Sequence, residues 1–355
     1  MIVSLLLYSL FASPKSVVLT PEVPLAALPD DAAEFIRVPW DGTIDEKGNV
    51  YLLDLAAHTV FMWDASGTYK GNFGKQGQGP GELMLGGQNG GPQASINVVG
   101  DEVIVYDGGL RLVNRYKKDG TFIRAESFKL PNGRTEAFRI LDDGNFLIHH
   151  RLFNTEPPLS EIGIFKPDGS QLKSLFKAPD TSWRMRSDNK RGVVIIGYSE
   201  GSVLHYDQSR DRILLAGDTA PEFQVFSQDG KELEKVTMKI PRVDVSQADK
   251  DAFNEQGWIK NNDFLTADFP EKHPYFSMLF PDGDRGYLVT RVIAYYNDLH
   301  GYYVDAKGRT LGRLKYRLGE GGAIFGANGR ILVVETDEEG EYNLFISKVE
   351  LQNRS

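Results

Sequence analysis

The chain has 355 residues, no cysteine and a formal net charge of −9. Without cysteine, disulfides, thiolate catalysis and Cys-ligated zinc are excluded, and so is a lipoprotein anchor, which needs a cysteine to acylate. The acidic balance argues against a nucleic-acid or anionic-membrane surface, since either requires clustered Lys and Arg.

Residues 1–12, MIVSLLLYSLFA, are almost wholly apolar. The run is too short to span a bilayer and matches a signal-peptide core. It predicts a periplasmic or secreted protein without stable membrane insertion, whose mature chain begins near residue 13. Two β-rich segments follow, residues 16–20 and 34–38, which belong to no unit of the pattern after them.

From residue 49 one pattern recurs: a tight polar turn, an apolar strand, a loop, a second strand. The strand after the turn reads NVYLLD (49–54), EVIVYD (102–107), NFLIHH (145–150), RILLAGD (212–218), GYLVTR (286–291) and RILVVE (330–335). A second turn repeats in phase. Trp63, Tyr116, Phe165, Phe226 and Val304 each stand four residues before a glycine: Gly67, Gly120, Gly169, Gly230 and Gly308. Each unit therefore reads as four strands, A to D, joined by hairpins. The B strands are nearly continuous apolar runs, which means burial on both faces. The C and D strands are more mixed. This inner-to-outer gradient is what radially stacked four-stranded sheets require. The expected fold is all-β, a single six-bladed β-propeller over residues 13–355. The last unit lacks its D strand, and one of the two N-terminal segments is expected to supply it, closing the ring and removing a free edge.

Two stretches break the pattern. Residues 180–200 carry Arg184, Arg186, Lys190 and Arg191 and read as a solvated loop. In residues 242–272, between units four and five, the β signal lapses. Ser246 and Asp249 have capping-box spacing, and Ala248, Ala252 and Ile259 are spaced for one helical face. A helix from Gln247 to about Asn261 is expected there.

The linker FGKQGQGPGEL (73–83) resembles the NHL-repeat linker between blades, and residues 54–63 and 218–226 resemble the NHL strand pair. Leu318 to Gly322 resembles a worn copy of the linker. The whole chain is similar to the six-bladed, NHL-repeat-like (TolB-like) propellers of bacterial envelopes, including their helical insertion after blade four, here at Val245 and Ser246. The resemblance implies the fold and an envelope setting. A phosphate-binding reading of the glycine linker fails on sequence, because no Lys-Ser/Thr follows it and no helix opens behind it.

Chemistry is harder to find. His58, His150 and His300 come from alternate units and could meet at a pore around zinc or calcium; His149 and His150 are consecutive, so only one can face a given side. Glu34, Asn114 and Asp218 are the candidate set for a calcium-dependent hydrolase. Asp54, Asp107 and Asp218 end three B strands in like positions, which suits turn capping. The B–C loops offer His58, Arg111, Arg151, Tyr295, Tyr296, Asn297 and His300 around one channel mouth. Aromatic, Arg and His groups at a rim suit a protein, peptide or small polar ligand. The expectation is a monomeric, non-catalytic binding or scaffold propeller with no cofactor. The alternative is a metal-dependent hydrolase or lyase at the central pore.

Overall fold

The computed structural model describes residues 15–30, 32, 34–85, 94–128, 134–185, 192–198, 202–217, 220–293 and 298–353. Strand β1 (Lys15–Pro24) comes first. Then β2 (Pro39–Ile44), β3 (Val50–Asp54), β4 (Thr59–Trp63) and β5 (Tyr69–Phe73) form an antiparallel sheet in that order. The same order recurs in β6 (Ala94–Val99), β7 (Glu102–Asp107), β8 (Leu112–Lys117) and β9 (Phe122–Ser127), and again in β10 (Arg134–Ile140), β11 (Phe146–Leu152), β12 (Leu159–Phe165) and β13 (Gln171–Pro179). Two short strands, β14 (Trp183–Met185) and β15 (Val193–Ile196), precede the next sheet, β16 (Ser202–Asp207), β17 (Arg212–Gly217), β18 (Glu222–Ser227) and β19 (Glu232–Thr237). Helices α1 (Gln247–Asn254) and α2 (Gly257–Lys260) and strand β20 (Leu265–Asp268) intervene. After them come β21 (Met278–Pro281), β22 (Tyr287–Ile293), β23 (Asp298–Val304) and β24 (Thr310–Arg317), then β25 (Ala323–Ala327), β26 (Arg330–Thr336) and β27 (Tyr342–Gln352).

The two ends of the chain meet at β1. It runs antiparallel to β27, with Val17 opposite Leu351 and Leu19 opposite Val349. Its first residues also pair in parallel with β24, Val17 opposite Leu314, so the last strands merge into one eight-stranded sheet. Of the two unassigned N-terminal segments, residues 16–20 thus supply the edge. Residues 34–38 form no strand; the amides of Arg37 and Val38 donate to Asp54 Oδ2 at 2.7 and 2.8 Å, strapping the segment over the β3–β4 turn.

Alternate residues of each apolar strand face opposite neighbours. In β3, Tyr51 and Leu53 pack with Ile96, Val103 and Tyr116 of the β6–β9 sheet, while Val50 and Leu52 pack with Leu332 and Val334 of β26. Every residue of β3 is buried. Ile104 and Tyr106 meet Phe138 and Ile148; Leu147 and Ile162 meet Ile213 and Phe226; Leu214 and Phe223 meet Tyr287 and Val289; Leu288 and Tyr303 meet Ile331 and Phe345. The packing returns to its starting sheet, and the chain is a β-propeller. Burial of such side chains contributes about 1.5–3 kcal/mol each, which is why the apolar signal of these strands dominates the sequence.

The connections before β16 and before β21 carry the irregular elements. β15 pairs in parallel with β20, Val193 opposite Leu265, and antiparallel with β14. Residues 180–200 are therefore not simply a solvated loop: their described part holds two strands of a three-stranded sheet. The expected capping box is present, with the Asp249 amide donating to Ser246 Oγ at 3.2 Å and the Ser246 amide to Asp249 Oδ2 at 2.9 Å. The helix itself is shorter than expected. It ends at Asn254, and a second short helix starts at Gly257. The buried positions are Asp249, Phe253 and Ile259, whereas Ala248 is exposed. Phe253 packs against the rings of Tyr198, Trp258 and Phe269, and this aromatic contact outweighs the alanine stripe. Among the described residues no helix is long and apolar enough to cross a membrane.

Candidate functional site

The first strand of each antiparallel set lines the central channel. A cavity of about 260 Å³ lies there, walled by Asp41, Arg139, His149, Ser202, His205 and Ser277 on the polar side and by Met278, Phe280, Ile324 and Phe325 on the apolar side. A second space of about 30 Å³, room for about one water, lies next to Asn97, Tyr206 and Gln208. Gly42, Arg139 and Gly326 line both, so Arg139 stands at the boundary between them. The channel is narrow enough that a side chain at Gly326 would meet Phe280 at 2.5 Å and His205 at 3.1 Å.

Arg139 is held in place by Asp41. Its Nη1 donates to Oδ2 at 2.8 Å and its Nη2 to Oδ1 at 3.1 Å. The same carboxylate accepts the amides of Gly42 and Ile96, both at 3.0 Å. Each oxygen thus accepts two bonds, which uses the carboxylate's capacity. The pair bars the channel without leaving a net charge in it.

Two imidazoles complete the polar wall. Burial pushes the His205 pKa down to about 4, helped by Arg139 and Arg210 and opposed by Asp207. Burial likewise pushes His149 down to about 4, with Arg151 and His150 adding to the effect and Asp180 opposing it. His149 Nε2 shares hydrogen bonds with Ser160 Oγ at 2.7 Å and Ser202 Oγ at 3.4 Å. Both rings are neutral near pH 7, so each offers one donor and one acceptor. A wall of neutral imidazoles, hydroxyls and a neutralised guanidinium can hydrogen-bond an uncharged polar group.

Of the residues expected at the channel mouth, none of the described ones lines the channel cavity. His58 sits in the β3–β4 turn at φ +52°, and its Nδ1 accepts the Leu85 amide at 3.0 Å, which anchors the glycine linker. Arg111 occupies the β7–β8 turn at φ +57° and is exposed. Arg151 lies on β11, 3.4 Å from both Glu136 and Asp180. His300 lies on β23 opposite Arg291. Tyr295, Tyr296 and Asn297 lie outside the described residues, as does Asp218. His150 stands 3.6 Å from Glu161, on the other side of β11 from His149, as their consecutive positions require. Among the described residues no group of three or more His, Asp or Glu side chains is placed to hold a metal ion, so His58, His150 and His300 are not brought together. Glu34 pairs with Arg37, and Asn114 is buried within β8. Asp54 and Asp107 do cap their turns: Asp54 Oδ1 accepts the amides of Ala56 and Ala57, and Asp107 Oδ1 accepts that of Leu110. In the glycine linker, Glu82 accepts the Gly79 amide at 2.9 Å and pairs with Lys75, so the loop closes on its own carboxylate.

Sequence reasoning missed the channel wall itself. Its available signal was a polar residue set between apolar ones in an inner strand, as in Phe138-Arg139-Ile140 and Leu204-His205-Tyr206.

No protein-family profile matches the sequence, and no curated protein matches it significantly. Solved structures do. A protein provisionally described as exported, from Bacteroides fragilis NCTC 9343, superposes with a TM-score of 0.56 at 13% identity, over 94% of this chain and 95% of that one. A member of the DUF4221 family from Bacteroides vulgatus ATCC 8482 gives 0.54 at 14% identity, over 96% of this chain and 100% of that one. At these identities the likeness is one of fold alone.

Proposed function

We propose that the chain is an exported, six-bladed propeller of the NHL-like type that works as a non-catalytic binding or scaffold module, taking a small polar ligand or the polar end of a peptide into its central channel. The observation that carries the reading is the 260 Å³ channel cavity walled by Asp41, Arg139, His149, Ser202 and His205. Its size is near the lower bound of small-molecule sites, roughly 300 Å³. The count of six is supported by the succession of hydrophobic clusters that joins each four-stranded set to the next, with β25, β26, β27 and β1 taken as one set. The NHL-like type is supported by the Phe73 to Leu83 linker, and export by the apolar leader.

A second reading, a pore-centred metal hydrolase or lyase, draws on the two neutral imidazoles, His149 and His205, that line one cavity. Neutral imidazole is the metal-ligating form. One experiment separates the two. The purified chain is analysed for zinc and calcium, then screened by thermal shift against free amino acids, dipeptides and monosaccharides, alongside Ser202→Phe, which fills the cavity. Binding that is lost in Ser202→Phe, without stoichiometric metal, supports the binding module. Stoichiometric metal, or binding that survives Ser202→Phe, sinks it.

A further inference from the structure

Between the β16–β19 sheet and β21–β24, apart from the channel cavity, a guanidinium is buried without an ion pair; the buried Asp249 of the same neighbourhood is engaged by His273 Nε2 at 3.2 Å and by the Ser246 amide at 2.9 Å. Arg291 on β22 is 3% exposed. Its Nε is sealed from solvent and has no hydrogen-bond partner. Its Nη1 reaches the Pro241 carbonyl at a long 3.4 Å, and the Tyr302 side chain is its other polar neighbour. Among the described residues no carboxylate forms an ion pair with it. Burying a charge this way is costly unless a counter-charge is supplied.

The Tyr302 ring offsets part of this cost, but it is shared with a second cation. Arg291 and Arg313 stand over the same Tyr302 ring, at 6.0 and 5.9 Å from its centroid. Directly opposite Arg291 is His300, whose Nε2 is also buried without a partner. Opposite His300 on β24 is Lys315. Lys315 and Arg313 are exposed, so cations stand at the buried and the solvent ends of the junction, with the His300 imidazole, whose pKa burial lowers, between them, in a protein whose net charge is −9. Asp298 shares the His300 face of β23 but stands opposite its own cation, Arg317.

We propose that this junction is a binding site for a carboxylate or phosphate group, received by the free Nε–H of Arg291 and by His300 Nε2, with Lys315 and Arg313 at its mouth. The guanidinium fork is matched to planar or tetrahedral oxyanions, and hydrogen bonds between ionised partners are the strong ones. The inference is independent of the channel reading, because no residue of the channel wall takes part.

The test is thermal unfolding of the purified chain with inorganic phosphate, acetate or chloride at matched ionic strength. Phosphate or acetate should raise the midpoint beyond chloride, and the comparison of the two tells a phosphate site from a carboxylate site. Arg291→Met should abolish the selective rise and, in chloride, be at least as stable as the parent, because an uncompensated charge has gone. Lys315→Gln, an exposed change that leaves the core intact, should weaken the apparent affinity about fivefold. The proposal fails if neither oxyanion exceeds chloride, or if a folded Arg291→Met keeps the selective rise. Should Arg291→Met not fold, Lys315→Gln decides: unchanged affinity overturns the site.

Discussion

Arg139 reaches from β10 past β6 to Asp41 on β2, and the carboxylate it grips also accepts the Ile96 amide of β6. One ion pair thereby fastens three channel strands together. Asp41 is buried and the Arg139 side chain is 31% exposed, so the pair lies between a surface bridge and a fully desolvated one. Asp41→Asn removes the charge and leaves the guanidinium facing a neutral amide. The expected loss is about 1–3 kcal/mol, read from urea unfolding. The double variant Asp41→Leu with Arg139→Met should recover part of that loss, since it leaves no orphan. A double variant as unstable as Asp41→Asn would show that Asp41 matters for its backbone amides instead.

The two channel histidines predict an acid limb of stability. Both pKa values fall from the ordinary 6.5 to about 4 in the folded protein. Between those values the unfolded chain binds more protons than the folded one, so stability rises with pH across that window. Stability is complete above about pH 6.5 and is lost as pH falls toward 4, by on the order of 2–3 kcal/mol per ring. His205→Asn and His149→Asn should each flatten the profile from pH 4 to 6.5. If neither does, the acid limb belongs to the carboxylates, whose losses begin lower.

Much of this fold is legible in the sequence because its strands are buried on both sides. Val50 to Asp54 reads as a strand without any tertiary knowledge, since every position in it is covered. The turn glycines were equally legible: Gly67, Gly120, Gly169, Gly230 and Gly308 all have φ between +74° and +86°. The channel wall was not legible, because Arg139 meets Asp41 only after the ring brings residues 98 apart in sequence together. Nor was the small sheet of β14, β15 and β20, whose strands are three or four residues long and whose parallel pairing is interrupted by the entire β16–β19 sheet. The helix face was misread because its buried positions include Asp249, which serves as the N-terminal cap partner and lies 3.2 Å from His273. A periodicity count of apolar residues passes over a buried aspartate.

Two glycines with similar backbone angles should differ sharply in tolerance. Gly308 has φ +74°, and a Cβ there would lie 2.1 Å from the carbonyl oxygen of Thr237, at the end of β19 in the neighbouring sheet. Gly340 has φ +88° and nothing within 4 Å. Gly340→Ala meets only the conformational penalty, about 1 kcal/mol. Gly308→Ala adds a backbone clash between sheets, for an expected loss of about 2–4 kcal/mol. Equal shifts in the two melting curves would mean that the close approach of the sheets does not constrain Gly308.

The strand that joins the two ends of the chain should be the fold's most sensitive edge. Leu19 is 3% exposed and packs with Phe345 and Val349 in the cluster that also holds Leu288 and Leu299. Leu19→Ala should cost about 2–5 kcal/mol. Val18→Pro acts differently: it removes a backbone donor from a strand paired with β27 and leaves few of the interior contacts altered. With β1 detached, β27 becomes an open edge, and a free edge of this kind invites pairing with another chain. The variant should be nicked early near residue 25 in limited proteolysis and should associate in a concentration-dependent way by light scattering. A Val18→Pro protein that resists protease and associates no more than the parent would mean that β27 needs no partner, and that the ring holds without its terminal strand.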